Sequence, residues 1–177
     1  MQSRDAEQDL RADSSTAVTS KVTLHFLCGK IGAGKSTLAH ELAKTPKTIL
    51  ISEDVWLDRL FADEIKDTSD YSRCAGRLRL ALSDHIEALL RADLSVVLDL
   101  PANTPATLQW LRGLSDRSGV MHQLHFIDLP DDVCKARLRS RNSTGVHPFL
   151  ISDAQFEEVT CAFVPPTDLE GLNIIRH

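Results

Sequence analysis

Short apolar and β-branched runs alternate along this chain with stretches in which apolar residues recur every three or four positions. The first run, Val22 to Cys28 (V-T-L-H-F-L-C), stops at a glycine cluster, as a strand buried in a parallel sheet does. Leu38 and Leu42 then mark a helix over Lys35 to Lys44. Thr48 to Ser52 is a second run, ended by the acidic pair Glu53 and Asp54, where a helix is expected to begin with Ser52 as its N-cap. From Tyr71 to Arg91, Leu78, Leu82, Ile86, Leu89 and Leu90 draw one apolar stripe, with Arg73, Arg77, Arg79, Asp84 and Glu87 off it. That spacing predicts a helix of about six turns.

Ser95 to Leu100 (S-V-V-L-D-L) reads as the third strand. Thr104 caps the next helix with Pro105 at its first position, and Trp110, Leu111 and Leu114 face the core. His122 to Ile127 is the fourth strand. After Pro130 a helix runs to Arg141, then an irregular segment Asn142 to Leu150, a helix from about Ser152 to Phe163, and a last short strand at Leu172 to Ile175. Pro165-Pro166 blocks continuation of that last helix and steers the chain into the strand. Five strands interleaved with helices predict an α/β fold, a three-layer αβα sandwich with a parallel sheet. The polar interval Asp63 to Asp70 reads as a mobile surface loop.

Composition narrows the class. The 177 residues, 42% hydrophobic and 25% charged, suffice for one core without disulfides or structural metal. We expect a disordered tail over residues 1–20, which lack the apolar run of a secretory signal, and one domain over residues 21–177. A net charge of -5 argues against a protein that coats nucleic acid, because backbone phosphates require a basic excess. A local basic cleft is still allowed. Cys28, Cys74, Cys134 and Cys161 show no metal-ligand spacing and read as reduced thiols, the pattern of a soluble cytoplasmic protein. No stretch is long and apolar enough to span a bilayer, so no membrane association is expected.

The chemistry is concentrated at Gly29-Lys30-Ile31-Gly32-Ala33-Gly34-Lys35-Ser36, which satisfies G-x-x-x-x-G-K-[ST] between a predicted strand and a predicted helix. A chance match in a chain this long is on the order of 1% before that context is counted. Successive backbone N–H groups in such a loop curl around phosphate, and the helix N-terminus adds partial positive charge. Lys35 would bridge the β- and γ-phosphates of a nucleotide, Ser36 would ligate Mg2+, and Thr37 is an early-helix hydroxyl within reach of the α-phosphate. Asp99 ends the apolar run Val96-Val97-Leu98, so its carboxylate emerges at the carboxyl edge of the sheet, where it would hold Mg2+ through water. Asp54 ends the second strand in the same way.

The P-loop, Ser52-Glu53-Asp54, the strand-ending D-L-P-A-N at Asp99 to Asn103, and L-P-D-D-V-C-K-A-R-L-R-S-R at Leu129 to Arg141 together resemble the small P-loop kinases. The resemblance is closest to the AAA_33 family, with its polynucleotide kinase, zeta toxin and chloramphenicol phosphotransferase relatives. It covers about residues 21 to 175 and implies strand order 2-3-1-4-5, a small helical lid, and ATP with Mg2+. It further implies that Asp54 is the general base on the acceptor hydroxyl. Arg137 and Arg141, four apart on one helix face with Arg139 turned away, would be the lid arginines that spread the charge of the transferred phosphoryl group. Polynucleotide kinases often carry an arginine three residues after the base, whereas this chain has Leu57. The expected acceptor is therefore a small molecule or a nucleotide, with nucleic acid admissible but not favoured.

Other motifs carry less. His122 and His125 form H-x-x-H, but residues three apart on a strand face opposite sides. His147-Pro148-Phe149 reads as a plain turn or a structured loop beside the lid. Asp116-Arg117-Ser118-Gly119 matches D-x-x-G between a helix and a strand, with no N-K-x-D after it, which disfavours a GTPase. Arg73, Arg77 and Arg79 could bind an anionic acceptor or be solvated. The competing function classes are a nucleotide-binding ATPase switch that phosphorylates nothing and a polynucleotide 5′-hydroxyl kinase. Oligomeric state is left open.

Overall fold

The computed structural model describes residues 21–145, 150–167 and 171–177, so the tail over residues 1–20 and the segment with His147-Pro148-Phe149 lie outside the described residues. The element order is β1 (Thr23–Cys28), α1 (Lys35–Leu42), β2 (Thr48–Ser52), α2 (Glu53–Phe61), α3 (Thr68–Arg91), β3 (Ser95–Asp99), α4 (Pro105–Ser118), β4 (Met121–Phe126), α5 (Asp131–Thr144), α6 (Asp153–Cys161) and β5 (Ile174–Arg176). The strands form one parallel sheet in the order β2-β3-β1-β4-β5, as the resemblance implies.

Alternation along β1 decides which helices cover which face. Leu24, Phe26 and Cys28 point to one side, where they pack with Leu78, Leu82, Ile86 and Leu90 of α3 and Leu108, Leu111 and Leu114 of α4. Leu27 and Val97 point to the other side and meet Ala39 of α1. A third cluster, Ala33, Ile127, Cys134, Leu138 and Phe156, ties the P-loop to α5 and α6. The sheet thus presents its carboxyl edge, with β1 at the centre, to a crevice between two helical layers, the place where open α/β sheets bind ligands.

Several boundaries differ from expectation for local reasons. Helix α3 begins at Thr68 rather than Tyr71, because Asp67 accepts a hydrogen bond from the Asp70 amide (2.9 Å) and caps the helix. The expected loop Asp63 to Asp70 is shortened accordingly. Ser52 does occupy the N-cap of α2, yet its side chain makes no cap bond. It lies in register with Asp99 on β3 and its hydroxyl donates there instead (3.5 Å). Helix α5 continues through Asn142 to Thr144, and Gly145 in the left-handed region (φ 64°) ends it. The last strand is displaced to Ile174–Arg176, paired with Leu124 to Phe126.

The start of α4 is as expected. The Thr104 hydroxyl accepts from the Thr107 amide, with Pro105 at the first helical position. Gly119 caps α4 at φ 67°, so the D-x-x-G tetrapeptide is a helix C-terminus. All four cysteines are free thiols. Among the described residues no helix is long and apolar enough to cross a membrane, and no His/Cys/Asp/Glu group is arranged to hold a metal ion by itself. His122 stacks on Phe26 and bonds to Ser115, while His125 faces the other side with His25 and His177.

Candidate active site

The P-loop bridges β1 and α1 at the middle of the sheet edge. Gly34, at the N-cap of α1, adopts φ 104°, and Gly32 adopts φ 78° with α5 so close that an added Cβ would lie 2.5 Å from the Cys134 carbonyl oxygen. Only glycine meets both demands. Helix α1 has neither a capping side chain nor an acidic residue in its first turn, so the positive end of its dipole faces the crevice. The loop is braced from outside. Asn103 accepts from the Gly29 amide (3.2 Å), and Lys30 pairs with Asp131 while donating to the Leu129 carbonyl (3.3 Å).

Lys35 curls back under this loop, donating to the carbonyls of Gly29 (2.7 Å) and Lys30 (2.8 Å). Burial pushes its ammonium below its ordinary value, while the negative charge of Asp99 works the other way. The Ser36 hydroxyl donates to Asp99 Oδ1 at 3.2 Å. Burial raises the Asp99 carboxyl, the bond from Ser36 opposes that rise, and the Asp54 charge adds to it. A hydroxyl and a carboxylate in contact at the sheet edge are the hard oxygen donors that Mg2+ takes. Thr37 lies exposed at the start of α1.

Across the crevice, Arg137 donates to the Ala33 carbonyl (3.0 Å) and so already leans on the P-loop. Burial lowers the Arg141 guanidinium, countered by the Asp54 charge, and its Nε is buried with no partner among the described residues. An orphaned charged donor is costly to bury and fits a site built to receive an anion. Arg139 points away and pairs with Asp153 outside.

One cavity of about 1360 Å³ receives these groups: Gly32 to Thr37, Asp54, Asp99, Arg137 and Arg141 all line it. It is also lined by Ile65, Tyr71, Arg79, Pro101 and Thr107 from α3, α4 and their approaches. Sequence reading left several of these unassigned. Glu53 is only 3% exposed and takes Arg79 bidentately, at 2.6 Å and 2.9 Å. The Tyr71 hydroxyl lies 2.8 Å from Asp54 Oδ1 and 3.2 Å from Glu53 Oε1. Arg79 is thus committed to Glu53 and is not a free anion receptor. Arg73 and Arg77 sit outside on Glu64. Leu57 is wholly buried in the core, so no arginine reaches the site from that position. The signal for Glu53 and Asn103 was their place in strand-ending motifs; Arg79 reads from sequence only as an anion-binding or solvated charge, and Tyr71 gave no signal.

Comparison with known proteins agrees with this architecture. Solved structures with the same fold include a candidate kinase from Chloroflexus aurantiacus, 20% identical over 89% of this chain and 85% of that one, with a TM-score of 0.71. Another is Kti12 from Chaetomium thermophilum in complex with ADP-AlF3, 12% identical over 86% and 88%, with a TM-score of 0.65. A third is the APS kinase CysC of Mycobacterium tuberculosis in complex with AMPPNP and APS, 19% identical over 80% and 97%, with a TM-score of 0.52. No curated protein matches the chain at the level of sequence. The AAA_33 model, described as an AAA domain, matches residues 24–166, and the chain belongs to that family of P-loop NTPases.

Proposed function

We propose that this protein is a kinase that transfers the γ-phosphoryl group of Mg-ATP to a hydroxyl of a small molecule or nucleotide, with Asp54 as the general base. The observation that carries the proposal is the convergence of Lys35, Ser36, Asp99, Arg137, Arg141 and Asp54 on one cavity that extends beyond the P-loop. The same cavity is also lined by Tyr71 and Thr107 beside the Asp54 carboxylate, polar groups that suit a hydroxyl-bearing acceptor.

The residues divide the work. The P-loop amides, Lys35 and the α1 dipole would bind the phosphate chain, and Ser36 and Asp99 would hold Mg2+. Bound Mg-ATP would supply the activated phosphoryl group. Arg137 and Arg141 would neutralise negative charge between donor and acceptor, where preorganised cations contribute most. Asp54 would take the acceptor proton as its oxygen attacks. Leu57 in the core and the net charge of -5 both weigh against a polynucleotide acceptor.

The test is transfer from γ-labelled ATP to a panel of sugars, nucleosides, nucleotides and 5′-hydroxyl oligonucleotides. Label on a small hydroxyl compound supports the proposal. Label on oligonucleotides alone, with binding that weakens steeply in salt, establishes the polynucleotide alternative. Steady hydrolysis with every acceptor unlabelled establishes the ATPase switch.

A further inference from the structure

We infer that Tyr71 is a positioning residue for Asp54: its hydroxyl donates to Asp54 Oδ1 and orients that carboxylate, while Arg79 takes up the charge of the neighbouring Glu53. The inference rests on the reading of Asp54 as base and adds a group to it from a different part of the chain.

The geometry is a relay of alternating donor and acceptor groups. Arg79 Nε and one terminal nitrogen grip Glu53 at 2.6 Å and 2.9 Å, and the remaining terminal nitrogen lies 3.4 Å from the Thr107 hydroxyl. Glu53 Oε1 and Asp54 Oδ1 lie 3.2 Å and 2.8 Å from the same phenolic oxygen. A phenol has one proton to donate. The shorter contact belongs to Asp54, and Glu53 already receives two guanidinium bonds, so the proton is directed to Asp54. Burial and the charges of both carboxylates push the Tyr71 hydroxyl far above its ordinary value, so it stays a donor throughout the working pH range.

The arrangement solves a problem that α2 creates. Glu53 and Asp54 are consecutive in the first turn of that helix, and two carboxylates meeting at one phenol repel each other. Arg79 neutralises the inner one, which leaves Asp54 as the carboxylate that faces the cavity with one oxygen held by a fixed donor. A base whose rotation is restrained in this way presents its electron pair in one direction. Tyr71 comes from α3, seventeen residues downstream, so the hydrogen bond also ties the acceptor wall to the base.

Tyr71 is the only tyrosine in the chain, which makes the contact directly observable. With 13Cζ-tyrosine incorporated, the single resonance should shift between the wild type and Asp54→Asn at one fixed pH, because the phenol loses its charged acceptor. A resonance indifferent to Asp54→Asn overturns the proposal without any turnover being needed. For function, single-turnover hydrolysis of Mg-ATP, with water as acceptor, is followed from pH 5 to 9. Tyr71→Phe keeps the ring and should lower the rate roughly tenfold, because the carboxylate loses the donor that fixes its direction. Binding of a fluorescent ADP analogue should be unchanged, which separates positioning from misfolding. An unaltered rate in Tyr71→Phe, alongside a slow Asp54→Asn, refutes the role of Tyr71 alone. A fast Asp54→Asn refutes the base itself and the assignment of Tyr71 with it.

Discussion

Replacing Arg79 by methionine removes the cation from a carboxylate that has almost no access to water. Glu53 is 3% exposed and the Arg79 side chain 23%. Breaking such a pair from one side strands a buried charge and costs about 3 kcal/mol, the lower end of the usual range because Arg79 retains some solvent. Methionine preserves the stem beside Trp110, over whose ring the guanidinium lies 5.9 Å from the centroid. For a chain of this size the expected fall in Tm is roughly 6–12 °C. The decisive assay is a double-mutant cycle by urea denaturation. Glu53→Gln removes the charge that Arg79 neutralises while keeping the size of the side chain, so the double variant should recover about 2 kcal/mol relative to the sum of the single effects. Additive losses, with coupling below about 0.5 kcal/mol, would refute the claim that the two charges are held for each other.

Other expectations follow from the same geometry. Burial, together with its neighbours His25 and His177, pushes His125 from 6.5 down to about 4. Since the unfolded chain then binds the extra proton between those values, stability rises with pH across that window; acidification from pH 6.5 towards 4 should cost about 3 kcal/mol, and His125→Gln should flatten this dependence in urea melts. Gly32→Ala forces a methyl group onto the Cys134 carbonyl at 2.5 Å with φ at 78°. Strain of about 1–3 kcal/mol and retreat of α5 should lower nucleotide affinity; a fluorescent ADP analogue bound as tightly as by the wild type would contradict this. Mg-ATP at 100 times Kd should stabilise the fold by about 2.7 kcal/mol. Lys35→Ala should lose about 3 kcal/mol of transition-state stabilisation in the transfer assay, and full turnover would remove Lys35 from its assigned role.

What the sequence disclosed and what it hid divides along sequence distance. The P-loop and the Thr104-Pro105 start of α4 were legible because their geometry is written within a few consecutive residues. The sheet order came through resemblance, since a parallel sheet leaves no local mark of which strands are neighbours. Ser52 was placed at the right helix end with the wrong bond, because its partner Asp99 stands forty-seven residues away and becomes adjacent only through the β2–β3 register. Arg79 lies off the apolar stripe of α3 and so reads as a solvated or anion-binding charge. Only the packing of α3 against α2 brings it to Glu53. Tyr71 was hidden in the same way, as one more residue near the start of a long amphipathic helix.

The central claim is that Asp54 accepts the proton of a hydroxyl that receives the phosphoryl group. Single-turnover transfer from γ-labelled ATP, comparing the wild type with Asp54→Asn at equal nucleotide occupancy, tests it most directly. The account predicts that the wild type labels a small hydroxyl acceptor and that Asp54→Asn, still binding Mg-ATP, loses transfer by 10²-fold or more, the order of general-base catalysis. Hydrolysis that persists undiminished in Asp54→Asn while a broad acceptor panel stays unlabelled would contradict it.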